Sequence, residues 1–177
     1  MKNPIIIAID GHDGSGKTTI AHLLSKRINA KYIKPFSDSL GDLIAWLHVK
    51  GDNKFLNEIA IAAISKQIEE NQGVEHLVFD RHWLSIFTIL PEEYYNLWID
   101  KPITILCWAD VKTVEERLKL RSGNEVDEWC HEYYCKRYKE LAEKYGVFIV
   151  NTSGDSKPED RVNEIMKHLS NLRIIKS

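Results

Sequence analysis

The chain has few of the features that would assign it to several large classes of protein. Its three cysteines, Cys107, Cys130 and Cys135, are odd in number and have no metal-ligand spacing. That argues against a disulfide framework or a structural zinc site and for a reducing, cytoplasmic compartment. No apolar run approaches the length of a membrane span, and the amino-terminal residues hold no signal-peptide core, so no membrane partner is expected. A net charge of −2 supplies no global field to attract nucleic acid or an anionic surface. There is no internal repeat, no low-complexity tract and no linker. What remains is 177 residues with 44% hydrophobic content, enough to bury a core without disulfides or metal. One domain over 1–177 is the expectation.

Apolar runs alternate with helical patterns, which predicts an α/β fold with a five-stranded parallel sheet flanked by helices. Strands are expected at 4–10, 31–35, 75–80, 102–108 and 146–151. Leu77-Val78-Phe79 and Ile103 to Trp108 are apolar on both faces, as strands covered on both sides must be. Helices are expected near 17–29, 39–50, 53–72, 83–98, 111–121, 125–145 and 158–170. Five tryptophans (Trp46, Trp83, Trp98, Trp108 and Trp129) fall mostly at core positions of this pattern. In such sheets ligands bind beyond the carboxyl ends of the strands.

The first of these ends carries Gly11-His12-Asp13-Gly14-Ser15-Gly16-Lys17-Thr18-Thr19. Gly, four residues, then Gly-Lys-Thr between a strand and a helix is the phosphate-binding loop. Its glycines let backbone N–H groups converge on phosphates, and the helix start adds positive dipole. Lys17 can reach the β- and γ-phosphates, and the Thr18 hydroxyl can ligate Mg²⁺. The His12 side chain is expected to point to solvent. Binding of a nucleoside triphosphate, ATP with Mg²⁺, follows from these residues.

Two further segments fall where such a ligand would lie. Asp80-Arg81-His82 follows the 75–80 strand; Asp80 suits a metal near the β/γ-phosphates, and Arg81 suits an anionic acceptor. Arg117 and Arg121 stand four apart on a helix, share a face and lead into Ser122-Gly123. That pattern fits a short lid, about 117–130, whose guanidinium groups neutralise a transferring phosphoryl group. Trp83 is the tryptophan placed nearest an acceptor pocket.

In this order, the loop at 10–19, Asp80-Arg81, Arg117 through Arg121 and the later run from Asp127 to Ala142 resemble the thymidylate kinase-like nucleoside monophosphate kinases. The similarity of organisation spans about residues 4–170. It implies the three-layer P-loop kinase fold and phosphoryl transfer from ATP to a deoxynucleoside monophosphate, thymidylate first. By that resemblance Asp13 would sense the acceptor's sugar 3′-hydroxyl, and Arg81 would touch its phosphate. Arg117 and Arg121 would lie near the donor, and Phe36 would pack on the acceptor base. The family's dimers make the 60–64 helix face a candidate interface.

The chain departs from the family pattern in its acceptor clamps. Lys34 to Gly41 carries no arginine and has Asp38 instead, and Lys66 stands in for another absent arginine. These departures keep open a second reading, a kinase for a hydroxyl of a nucleoside, a modified base or a nucleic-acid end, with Asp38 or Asp13 as proton acceptor. A third reading, a non-catalytic nucleotide-binding protein, leaves Lys17, Thr18, Asp80 and the lid arginines without a task.

Overall fold

The computed structural model describes residues 3–122, 128–155 and 157–175. Five strands, β1 (Ile5–Asp10), β2 (Lys31–Ile33), β3 (His76–Asp80), β4 (Ile103–Trp108) and β5 (Phe148–Asn151), form one sheet in the order β2-β3-β1-β4-β5. Every pairing is parallel. The register sets Ile9 beside Asp80 and Asp10 beside Leu106, so three strand ends form one edge under the phosphate loop.

Alternation along the strands divides the core. Ile7, Ile9, Val78, Ile105 and Cys107 face α1 (Lys17–Arg27) and α7 (Pro158–Asn171). Leu77, Phe79 and Leu106 face the other layer, built from α2 (Asp38–Lys50), α3 (Asn53–Glu70), α4 (Trp83–Phe87) and α6 (Glu128–Tyr145). The last helix, α5 (Val111–Ser122), packs Val114 against Cys135 of α6. Apolar residues on both faces of β3 and β4 are the physical reason for two helical layers.

Local chemistry sets the helix ends. The Asp52 carboxylate accepts from the Phe55 N–H at the start of α3 (3.2 Å), and α7 begins with Pro158 followed by Glu159 and Asp160. The helix expected at 83–98 is two pieces. It stops at Phe87 and resumes as a 3-10 helix over Glu92–Leu97, because Pro91 has no N–H to continue the ladder. The tryptophan expectation fails at Trp46, which is 55% exposed on α2. On α3, Ala60 and Ile64 are buried in the core while Ala62 is exposed, so the 60–64 face is divided between the chain's interior and its surface.

Leu24 carries α1, and with it the phosphate loop, against the sheet and is fully buried. Leu24→Ala is expected to cost about 2–5 kcal/mol. The urea midpoint should fall with the slope unchanged.

Candidate active site

The phosphate loop forms where β1 runs out beside β4. Gly11 has φ +154°, and a Cβ there would lie 2.4 Å from the Cys107 carbonyl oxygen, so only glycine fits. Gly14 has φ +79°, and its Cβ would come within 2.9 Å of the Val114 carbonyl oxygen. The loop is also held from outside. The Thr152 hydroxyl, after β5, bonds the carbonyls of Ser15 (2.7 Å) and Trp108 (3.0 Å).

Arg81 also has a left-handed backbone, φ +79°, which costs a non-glycine residue about 1 kcal/mol or more. This turn carries the chain from β3 to α4 and returns the guanidinium over the phosphate loop. One terminal nitrogen donates to the Gly11 carbonyl (3.3 Å), the Ser85 hydroxyl (3.2 Å) and the Tyr138 hydroxyl (3.0 Å). The other donates to Asp13 Oδ1 at 2.6 Å. The same oxygen accepts from Lys17 Nζ at 3.0 Å. Burial alone would raise the Asp13 carboxyl, but Arg81 and Lys17 outweigh it and hold the group well below the usual carboxylate range. Burial, aided by Arg81, lowers the Lys17 ammonium, and Asp13 opposes that shift.

Beneath this cluster runs a line of hydroxyls. Tyr138 donates to Ser85 Oγ (2.8 Å), and Ser85 donates to Asp10 Oδ1, which also accepts the His82 and Ser85 N–H groups. Burial pushes the Tyr138 phenol up to about 12, so it remains a neutral donor. Burial likewise raises the Asp10 carboxyl. On the metal side, Thr18 Oγ1 donates to Asp80 Oδ2 at 2.7 Å and Tyr32 OH donates to the same oxygen at 2.8 Å. Asp80 Oδ1 is buried with no partner in the protein. A hydroxyl oxygen and an orphaned carboxylate oxygen, both hard donors, suit Mg²⁺.

Two cavities flank the cluster. One, of about 400 Å³, is lined by Asp13, Phe36, Ile44, Arg81, Ile86 and Tyr138 among others and suits an acceptor with an apolar ring. The other, of about 430 Å³, is lined by Gly16, Thr19, Arg117, Arg121, Lys157 and Arg161 and suits an anionic donor. Arg117 does not stand free over the phosphates. It donates to the carbonyls of Gly14 (3.2 Å), Thr152 (2.7 Å) and Gly154 (3.3 Å), bracing the loop, while Arg121 is exposed at the rim. Of the lid expected at about 117–130, residues 117–122 end α5 and 128–130 begin α6, while 123–127 lie outside the described residues, as does the Asp38 side chain.

Three expectations fail on geometry. Lys66 is a 71% exposed side chain paired with Glu70 on the outside of α3, remote from the acceptor cavity. Trp83 is buried and donates its indole N–H to Thr104 Oγ1 (2.8 Å), so it packs in the core and lines no acceptor wall. His12 turns inward. Its Nε2 lies 2.6 Å from His131 Nδ1, and its ring stacks on Tyr134 at 5.5 Å. The sequence assigns no role to Ser85, Thr152 or Tyr32, nor to Asp10 and Tyr138 within the 10–19 and 127–142 runs. Only Ser85 carries a local signal, standing four residues beyond Arg81 at the start of a helix.

His82 is buried between Phe79 and Trp98, with neither ring nitrogen bonded to the protein. Burial lowers it from 6.5 to about 3. The unfolded chain therefore binds a proton that the folded chain excludes, and stability is lost as pH falls from about 6.5 toward 3. His82→Leu should flatten that acid limb when urea midpoints are measured against pH.

No family model matches the chain. A probable thymidylate kinase of Methanocaldococcus jannaschii is 30% identical over 188 residues, 97% of this chain and 99% of that protein. A putative adenylate kinase of Pyrococcus furiosus is 29% identical over 168 residues, 92% of this chain and 82% of that protein. Thymidylate kinase from Candida albicans superposes with a TM-score of 0.71 at 19% identity, covering 99% of this chain and 96% of that one. Deoxyadenosine kinase from M. mycoides with bound dATP gives 0.68 at 22% identity, with 94% and 99% covered. These structures share the three-layer P-loop kinase fold found here. With that fold, and with 30% identity across nearly the whole of both proteins, the chain belongs to the thymidylate kinase family and is a nucleotide kinase.

Proposed function

We propose that the chain transfers the γ-phosphoryl group of ATP to a deoxynucleoside monophosphate, with thymidylate as the first candidate. The observation that carries this reading is the Asp13 carboxylate, which joins Lys17 of the phosphate loop to Arg81 at the wall of the acceptor cavity. That bridge aligns a donor site and an acceptor site across one oxygen.

Lys17 and the backbone amides of residues 13–18 hold the triphosphate, and Lys17 offsets charge on its terminal oxygens as the bond to the leaving group lengthens. Thr18 and Asp80 would hold Mg²⁺, which when bound neutralises charge between the β- and γ-phosphates. Arg81 turns toward the acceptor phosphate, while Phe36, Ile44 and Ile86 offer an apolar wall to its base. Arg117 keeps the loop in its phosphate-binding shape, and Arg121 at the rim is placed to meet the donor. Excluding water from this site favours transfer to the acceptor over hydrolysis.

A second reading rests on Arg81. Among the described residues it is the only arginine or lysine lining the acceptor cavity, and both its terminal nitrogens are already engaged. That economy of positive charge suits a nucleoside hydroxyl as acceptor. The deciding experiment measures ADP release from ATP·Mg²⁺ with thymidylate, other monophosphates, thymidine and no acceptor. Turnover that depends on thymidylate supports the proposal. Turnover on thymidine alone moves the acceptor to a nucleoside, and acceptor-independent hydrolysis sinks both readings. Lys17→Ala should lower kcat about a hundredfold or more while leaving the thermal midpoint near that of the parent. Asp80→Asn should raise the Mg²⁺ concentration for half-maximal rate by about tenfold.

A further inference from the structure

The acceptor cavity does not end at the apolar wall. His48, Thr88, Ile89 and Tyr134 line it, and the same four residues line a second chamber of about 360 Å³. The two spaces, of similar size, share these four residues as a common border. A thymine methyl group occupies a small fraction of what lies beyond.

The chamber differs in chemistry from the cavity it continues. The inner cavity presents Phe36, Ile44 and Ile86, whereas the outer one presents Asn53, Tyr133 and Arg137 against Leu90 and Pro91. Arg137 donates to Tyr95 OH (2.9 Å) and lies 3.9 Å from Glu92 Oε1. Glu92 is shared with Lys144, 2.9 Å from its other oxygen. Among the described residues Arg137 is the one arginine or lysine that lines the chamber, and no carboxylate lines it. A surplus of positive charge beside amide and phenol groups favours a ligand rich in hydrogen-bond acceptors.

An acceptor nucleotide whose phosphate lies at Arg81 and whose base lies on the apolar wall would turn the base edge remote from the sugar toward that shared border. We infer that the outer chamber is a subsite for a substituent on that edge, and that the protein takes pyrimidine monophosphates enlarged by hydroxylated or carboxylated groups. This inference rests on the monophosphate kinase reading above.

The experiment compares kcat/KM for thymidylate, 5-hydroxymethyl-deoxyuridylate, 5-carboxy-deoxyuridylate and deoxyadenylate in the parent, Asn53→Trp and Arg137→Met. In the parent, the hydroxymethyl and carboxy acceptors should be used within about threefold of thymidylate or better. Asn53→Trp, which fills the chamber, should lower the ratio of enlarged acceptor to thymidylate about tenfold. Arg137→Met should lower the carboxy-to-thymidylate ratio by a similar factor and the hydroxymethyl ratio less. Turnover of thymidylate with rejection of both enlarged pyrimidines overturns the subsite and leaves the kinase reading standing. So does a strong preference for deoxyadenylate, or ratios that ignore both substitutions. Silence with every monophosphate overturns the kinase reading and the subsite with it.

Discussion

The shared oxygen of Asp13 is the constraint on which the site depends. Lys17 and Arg81 both leave bulk water to reach it, and two partly desolvated cations a few ångströms apart repel unless an anion lies between them. Asp13 can take that place only because Gly11 lets the loop pass against the Cys107 carbonyl, and because Arg81 accepts a left-handed backbone. The sheet register lies beneath both. With Ile9 beside Asp80 and Asp10 beside Leu106, the loop and the arginine leave neighbouring strands at the same height. A slip of one residue would turn Asp80 away from Thr18 and bury a carboxylate in the apolar layer.

On either side of that oxygen the molecule separates its chemistry. The cavity at the start of α1 gathers Arg117, Arg121, Lys157 and Arg161 with one carboxylate, Asp155, and the helix dipole has the sign of the cations. The cavity beside Arg81 sets Phe36, Ile44, Ile86 and Ile89 against the polar cluster of Asp13 and Arg81. Arg117 shows how a cation serves a phosphate site indirectly. Its fork spans Gly14, Thr152 and Gly154, so the end of β5 braces a loop that begins at the end of β1. The hydroxyl line from Tyr138 through Ser85 to Asp10 does the same for Arg81 from below.

Much of this was legible from residues read in order. The five strands and the phosphate loop follow from patterns only a few residues long, and Thr18 and Asp80 each stand beside a strand end in the sequence, whereas their hydrogen bond spans 62 residues. Lys66 and Trp83 were misread because residue type was taken for position. A lysine on α3 and a tryptophan beside Arg81 could face either way, and packing turned one outward and the other into the core. His12 was misread for the same reason, since its partner His131 lies 119 residues further along the chain. Tyr32 and Thr152 carry no motif at all, and Tyr138 has no role of its own within the 127–142 run. They matter because β2, α6 and the end of β5 bring them to Asp80, Arg81 and Ser15.

Fold class, the phosphate loop and the sheet edge that carries the site can be read along the chain, because backbone geometry and hydrophobic period act over a few neighbouring residues. Packing settled the rest: Arg117 braces the loop, Asp13 is claimed by two cations, and the cavity beside Arg81 shares four lining residues with a more polar chamber. Those outcomes depend on side chains between four and more than a hundred residues apart meeting within hydrogen-bond distance. Contact at that range is set by how helices pack on a sheet, which no local pattern records.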